Sequence, residues 1–145
     1  MKIEEMNRGN MEGIVALENE CFAHPWTLDN LIEYYSNSNA HFFVAKEDDK
    51  IVGYVGSYTV MDECFVTNIA VTESARGQGV ASALLEKLIS VAEASKASFI
   101  TLEVRFSNLP AIGLYKKYGF TLDGTRPGFY RDPEEDALIM TKRFL

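Results

Sequence analysis

The sequence predicts an α/β fold in which a central mixed sheet carries helices on both faces. Three observations lead there. Three strand-like runs between His41 and Val71 follow one another across short turns, which imposes antiparallel pairing. A strand, a helix and a second strand then span Phe65 to Phe106, an order that implies a parallel pair joined by a right-handed crossover. Amphipathic helical segments both precede and follow these units, so both faces of the sheet have something to cover them.

In chain order, Lys2 to Met6 reads as a short edge strand. Asn10 is placed to cap a helix whose apolar face is Ile14, Val15, Leu17 and Phe22. His24-Pro25-Trp26-Thr27 breaks that helix. Thr27 then caps a second helix, Leu28 to Tyr35, with Asp29 in the first turn where a negative charge suits the helix dipole. After the polar loop Ser36 to Ala40, His41 to Lys46 is a strand, Glu47 to Lys50 a hairpin turn, and Ile51 to Met61 a longer strand weakened by Gly53 and Gly56.

Cys64 to Val71 is the next strand, and it leads through a glycine-rich loop into a long helix whose apolar face is Val80, Ala83, Leu84, Leu88 and Val91. Phe99 to Phe106 alternates strictly, with Ile100, Leu102 and Val104 on one face and Phe99, Thr101, Glu103 and Arg105 on the other. Ser107-Asn108 is a turn and a helix cap, and Pro110 falls in the first helical turn, where a missing N–H does little harm. That helix runs to about Tyr118 and stops at Gly119. Phe120 to Leu122 and Asp136 to Arg143 are two last strands around a turn-rich segment, GTRPGFYRDPEE. With no repeat, low-complexity tract or linker, residues 1–145 are expected to form a single domain.

Composition narrows the function. The net charge of -7 argues against nucleic-acid binding through a broad basic patch, and is compatible with a basic peptide or a cationic amine as partner, or with solubility alone. No apolar run approaches the roughly 18 residues of a membrane helix. MKIEEMNRGN carries acidic residues where a signal peptide would have an apolar core, so a cytoplasmic protein without a membrane partner is expected. Cys21 and Cys64 have neither C-x-x-C spacing nor a His cluster, so neither a metal site nor a disulfide framework is expected.

The stretch with the strongest chemical signal is Val71 to Ala94, VTESARGQGVASALLEKLISVAEA. Gly77 and Gly79 allow a tight turn and close approach to a ligand, and the helix that follows offers unpaired N–H groups and the positive end of its dipole to an anion. Arg76 adds a full charge. A P-loop is excluded because no Lys-Ser or Lys-Thr pair follows either glycine, and a dinucleotide fingerprint fits only in part, as G-x-G-x-x-S at Gly77, Gly79 and Ser82. Arg76, Gly79 and Ala81 spell R-x-x-G-x-A directly after a strand. This resembles the pyrophosphate-binding signature of the GNAT superfamily of acetyl-CoA-dependent N-acyltransferases, whose fold also matches the element order above.

Acetyl transfer from a thioester to an amine needs a grip on the phosphorylated carrier, a base for the amine and an acid for the leaving thiolate. Glu103, near the carboxyl end of a strand that follows the crossover, is a candidate base; it could equally be a solvated glutamate paired with Arg105. Tyr115 is a candidate acid, and could equally be a core tyrosine, since Ala111, Leu114, Tyr115 and Tyr118 share a helix face.

The run Leu102 to Phe120, L-E-V-R-x-S-N-x-x-A-x-x-L-Y-x-x-x-G-F, is similar to the signature of the RimI type of GNAT enzyme, the ribosomal-protein-alanine N-acetyltransferases. Pro25 to Thr27, Asn68 to Val71 and Glu135 to Met140 match the same group, so the likeness covers nearly the whole chain. The resemblance implies that Glu103 is the general base and Tyr115 the general acid. It implies an acetyl-CoA site made of Ile69, Ala70 and Val71 on a strand, Arg76, Gly77, Gln78, Gly79, Val80, Ala81 and Ser82 at the loop, and Asn108, with no metal.

The chain departs from the family at Arg76-Gly77, where Gln-Arg is frequent, at Ala81, where Gly is frequent, and at Pro110 and Gly113, where better helix formers are usual. The family's acceptor is the N-terminal alanine of a small-subunit ribosomal protein, and Trp26, Tyr34, Glu63, Tyr130 and Arg131 are the residues expected to line its cleft. A small-molecule amine as acceptor and a non-catalytic CoA-binding module remain the alternatives. A monomer is compatible with all of these.

Overall fold

The computed structural model describes residues 1–144. Its strands are β1 (Lys2–Glu5), β2 (Ala40–Glu47), β3 (Lys50–Val60), β4 (Glu63–Val71), β5 (Phe99–Arg105), β6 (Thr121–Tyr130) and β7 (Glu135–Arg143). Its helices are α1 (Met11–Cys21), α2 (Leu28–Tyr35), α3 (Val80–Ala94) and α4 (Leu109–Lys117), with short 3-10 turns at Arg8–Asn10 and Glu73–Ala75. One seven-stranded sheet runs β1-β2-β3-β4-β5-β7-β6. Every neighbouring pair is antiparallel except β4 and β5, the pair joined by the crossover through α3.

Two cores lie on the two faces of this sheet. On one, Val80, Leu84, Leu85 and Leu88 of α3 and Ile112 and Tyr115 of α4 pack against Ile100, Leu102 and Val104 of β5. On the other, Met11, Ile14 and Leu17 of α1 and Leu31 of α2 pack against Phe42, Val44, Tyr54 and Ala70. Each fully buried leucine of α3 contributes about 2 kcal/mol by leaving water. The alternation along β5 therefore sends Glu103 and Arg105 to the face that carries α1 and α2.

The helix starts follow local chemistry. Thr27 Oγ1 accepts from the Asn30 backbone N–H at 3.2 Å, and Asn30 Oδ1 accepts in return from the Thr27 N–H. Asn10 behaves differently from the expectation: its side chain caps nothing in α1, and its Oδ1 accepts from the Asn7 N–H at 2.8 Å to close the preceding 3-10 turn. Asn108 Oδ1 caps α4 by accepting from the Ala111 N–H at 3.3 Å. Pro110 sits in the first turn of α4, and a side chain at Gly113 would meet open space, so neither departure from the family pattern disturbs this helix.

The C-terminal hairpin corrects the sequence reading. The segment expected to be turn-rich is mostly strand: β6 continues to Tyr130 and pairs with β7 through Gly124, Thr125, Arg126 and Tyr130. Its register shifts twice, between Leu122 and Gly124 and between Arg126 and Tyr130. Because β6 is an edge strand, Pro127 and the glycines interrupt the ladder without cost to a second neighbour.

Candidate active site

The site is made by a failure of pairing. β4 and β5 are in register only at Glu63 with Phe99, Cys64 with Ile100 and Phe65 with Thr101; beyond these the strands part, leaving Val66–Val71 and Leu102–Arg105 with free edges toward one another. A bulge in β4 starts the divergence, since Ser57 pairs with Val66 and Gly56 with Asn68, so that Thr67 has no partner on β3. The bulge also breaks the side-chain alternation. Val66 and Ile69 pack into the α3 core, whereas Asn68 reaches α1 and Thr67 Oγ1 lies 2.8 Å from where a Gly56 side chain would begin, so Thr67 and Asn68 share one face.

A cavity of about 260 Å³ opens at this wedge, lined by Trp26, Tyr34, Tyr58, Phe65, Val66, Thr67, Asn68, Thr101, Leu102 and Glu103. Trp26 stacks on Tyr34 with ring centroids 4.6 Å apart, forming an aromatic wall. Behind it lies Glu18 of α1, only 1% exposed, whose carboxylate accepts from the Trp26 backbone N–H at 2.9 Å, from the Asn68 side-chain amide at 3.1 Å and, at close range, from the Tyr54 hydroxyl. Burial raises the Tyr54 phenol well above its ordinary range, and the charge of Glu18 adds to this.

Glu103 lines the cavity and faces Arg126 of β6, with Oε1 and Nε 3.5 Å apart. Arg105 is not its partner. The Arg105 guanidinium donates to the Pro133 carbonyl at 2.9 Å, the Arg131 carbonyl at 3.0 Å and Glu135 at 3.2 Å, and lies 4.5 Å from the centre of the Tyr130 ring. Tyr130 is pushed up to about 12 by burial and by the Glu103 carboxylate, against the opposing pull of Arg105. Tyr115, buried beside Phe120 on the opposite face, is raised by burial and further by Tyr130. Both phenols therefore hold their protons at neutral pH. The Tyr115 hydroxyl has no hydrogen-bond partner among the described residues, yet it is not sealed in: Thr67 Oγ1 is the only fully buried unpartnered side-chain oxygen or nitrogen among them.

The glycine loop has the geometry that its composition requires. Gly77 and Gly79 adopt φ of 77° and 83°, and nothing lies within 4 Å of where a side chain would start at either. Gly79 is the N-cap of α3, so the backbone N–H groups of Val80, Ala81 and Ser82 open the helix without intrahelical partners. Arg76 turns away from these groups in this structure, donating to the Val71 carbonyl at 3.0 Å and lying 3.5 Å from Cys21 Sγ.

Of the expected cleft residues, Trp26 and Tyr34 meet the candidate base Glu103 in one cavity, Tyr130 stands beside Glu103, and Glu63 and Arg131 do not line the cavity. Glu63 lies at the opposite, paired end of β4, and Arg131 contributes its carbonyl to the turn held by Arg105. Tyr58, Phe65, Thr67, Asn68, Thr101 and Glu18 were not expected. Two of these left a trace in the sequence: Asn68 opens the run Asn68 to Val71, and Glu18 lies four residues after Ile14 on the apolar face of α1.

Residues 11–120 match the acetyltransferase (GNAT) family. The chain belongs to the GNAT family. It is 33% identical over 144 residues to the ribosomal protein bS18-alanine N-acetyltransferase of Escherichia coli K12, covering 95% of this chain and 94% of that one. A Bacillus subtilis protein carrying the same name provisionally is 37% identical over 139 residues, covering 95% and 92%. The crystal structure of the ribosomal-protein-S18-alanine N-acetyltransferase from Escherichia coli superposes with a TM-score of 0.91 at 30% identity, covering 98% of this chain and 92% of that one. GNAT enzymes use acetyl-CoA, and the open glycine loop, the uncapped first turn of α3 and the free edge of β4 fit such a phosphorylated thioester.

Proposed function

We propose that this protein is an acetyl-CoA-dependent N-α-acetyltransferase acting on the N-terminal alanine of a ribosomal protein, in the cytoplasm where that substrate is made. The observation that carries the reading is the gap between β4 and β5, which Glu103 approaches from one face of the sheet while Tyr115 packs on the other. The names of the relatives support the acceptor, and the glycine loop supports the donor.

Bound acetyl-CoA supplies the acetyl group as a thioester. Gly77, Gln78, Gly79, Val80, Ala81 and Ser82 hold its pyrophosphate through backbone N–H groups at the start of α3, with Arg76 swinging in to add charge. The free backbone edge of Ile69, Ala70 and Val71 takes the pantetheine arm as an added strand would be taken, and Asn108 contributes its amide nitrogen, its oxygen being used as the α4 cap. The acceptor chain enters from the α1–α2 face, past Trp26 and Tyr34. Glu103 takes the proton that its α-amino group must lose. Tyr115, still protonated at neutral pH, gives its phenolic proton to the leaving thiolate.

The acceptor amine attacks directly, without an acetylated cysteine. Cys64 is buried in the α3 core with its thiol raised by desolvation, and neither it nor Cys21 lines the wedge. The deciding experiment incubates the protein with acetyl-CoA and peptides beginning Ala-Arg, Met-Ala and acetyl-Ala, following thiol release and peptide mass. One acetyl added only to the free alanine terminus supports the reading. Acetyl-CoA binding with no transfer to any peptide would reassign the acceptor to a small amine or the protein to a non-catalytic role.

A further inference from the structure

The side-chain amide of Asn68 sits between two environments with opposite demands. On one side is the Glu18 carboxylate, an acceptor that already takes the Trp26 N–H and the Tyr54 hydroxyl. A carboxylate can only accept, so it fixes the Asn68 amide with its nitrogen inward, donating to Glu18 Oε2 at 3.1 Å. The amide oxygen is thereby turned the other way. Asn68 lines the wedge, and its Oδ1 has no partner among the described residues and is not one of their sealed, unpartnered polar atoms. The fold thus spends a buried carboxylate, with no ion-pair partner among the described residues, on the orientation of one amide and one backbone N–H of the cavity wall.

We propose that Asn68 Oδ1 is a hydrogen-bond acceptor for the α-ammonium of the acceptor substrate, and that Glu18 is the positioning residue that holds Asn68 in that orientation. The bulge at Thr67 is what makes this possible, because without it Asn68 would point into the α3 core. An oxygen there selects a group rich in N–H donors and, together with Glu103 on the facing strand, offers two acceptors to the three protons of an ammonium. It holds the nitrogen in place while Glu103 removes one proton. The inference rests on the acetyl-transfer reading of the wedge.

The test pairs a protein change with a ligand change. The intact protein with CoA bound is titrated with a peptide beginning Ala-Arg and with its des-amino analogue, in which propionyl replaces the alanine. The wild type is expected to bind the amino peptide about tenfold more tightly than the analogue, in line with a hydrogen bond to a charged group. In Asn68→Leu and Asn68→Ala that preference should fall severalfold, to what Glu103 alone sustains, while CoA binding is unchanged. In Glu18→Gln, where the amide is free to turn over, the preference should fall part of the way and the acceptor KM should rise more than kcat falls.

A preference that survives undiminished in either folded Asn68 variant overturns the role of Asn68. A Glu18→Gln protein with wild-type preference overturns the positioning role. Failure of the acetyl-transfer reading itself would look different, since neither peptide would then bind the wild type competitively with the other.

Discussion

Glu103 and Tyr115 stand on opposite faces of one sheet, the first beside the aromatic wall of Trp26 and Tyr34, the second within the core beneath α3 and α4. Beside β5 the sheet is open, at the gap where β4 and β5 cease to pair. Replacing each should therefore disturb a different substrate. Glu103→Gln is expected to lower kcat/KM by about 100-fold or more, the usual worth of a general base, with acetyl-CoA affinity intact. Tyr115→Phe should lower kcat by a similar order and leave the acceptor KM within about twofold. Steady-state kinetics with both substrates varied, beside CoA titration, check this; equal damage to both KM values by one substitution would contradict the two-sided arrangement.

Two glycines should separate conformational strain from crowding. Gly79 has φ of 83° and empty space around the missing side chain, so Gly79→Ala costs only the left-handed backbone, about 1 kcal/mol, but places a methyl in the anion cradle. Gly56 has ordinary backbone, yet a methyl there would come within 2.7 Å of the Phe42 ring and 2.8 Å of Thr67 Oγ1. Gly56→Ala should thus cost about 1–3 kcal/mol through overpacking. Urea unfolding and CoA titration are expected to rank the two variants in opposite orders: Gly56→Ala the less stable, Gly79→Ala the weaker binder.

Much of this architecture was legible because it rests on local chemistry. The alternation of Ile100, Leu102 and Val104, the Thr27 cap and the loop at Gly77 and Gly79 each follow from residues adjacent in sequence. Only the start of β6 was visible, at Phe120 to Leu122; its continuation to Tyr130 was hidden, because Pro127 and two glycines normally mark turns and only its place at the sheet edge makes them tolerable. The bulge at Thr67 was invisible, since Val66-Thr67-Asn68 contains no glycine and its register is set by β3. Glu18 carried no signal of its role, because its partners lie 8, 36 and 50 positions away.

Acid should loosen the base of α4. Glu135 accepts from the Ser107 backbone N–H at 2.6 Å and from Arg105, and these contacts, the bond to Ser107 first, hold its carboxyl below the usual carboxylate range. A group whose folded value is depressed stabilises the fold above its unfolded value, and that contribution fades as pH falls from there through the folded value. The gap in Tm between wild type and Glu135→Gln should accordingly be largest near neutrality and shrink as pH drops below about 4.5, the ordinary value for glutamate. A gap that stays constant down to pH 3 would show that the carboxylate charge contributes nothing there.

Arg105 organises the turn that closes the β6–β7 hairpin. Its planar guanidinium reaches the Arg131 and Pro133 carbonyls and Glu135 at once, while lying over Tyr130, which in turn stands next to Glu103. A lysine keeps the charge but presents one ammonium and no flat face, so Arg105→Lys can serve only part of this set. The turn at residues 131–135 should then exchange its amide protons faster, and Tm should fall by a few degrees, the equivalent of about 1 kcal/mol in a chain of this size. Because Tyr130 loses its stacking partner, the acceptor KM should rise while CoA affinity holds. If exchange in the turn is unchanged in Arg105→Lys, the hairpin is held instead by the bond between Glu135 and Ser107, and Glu135→Gln, not Arg105→Lys, becomes the variant that loosens it.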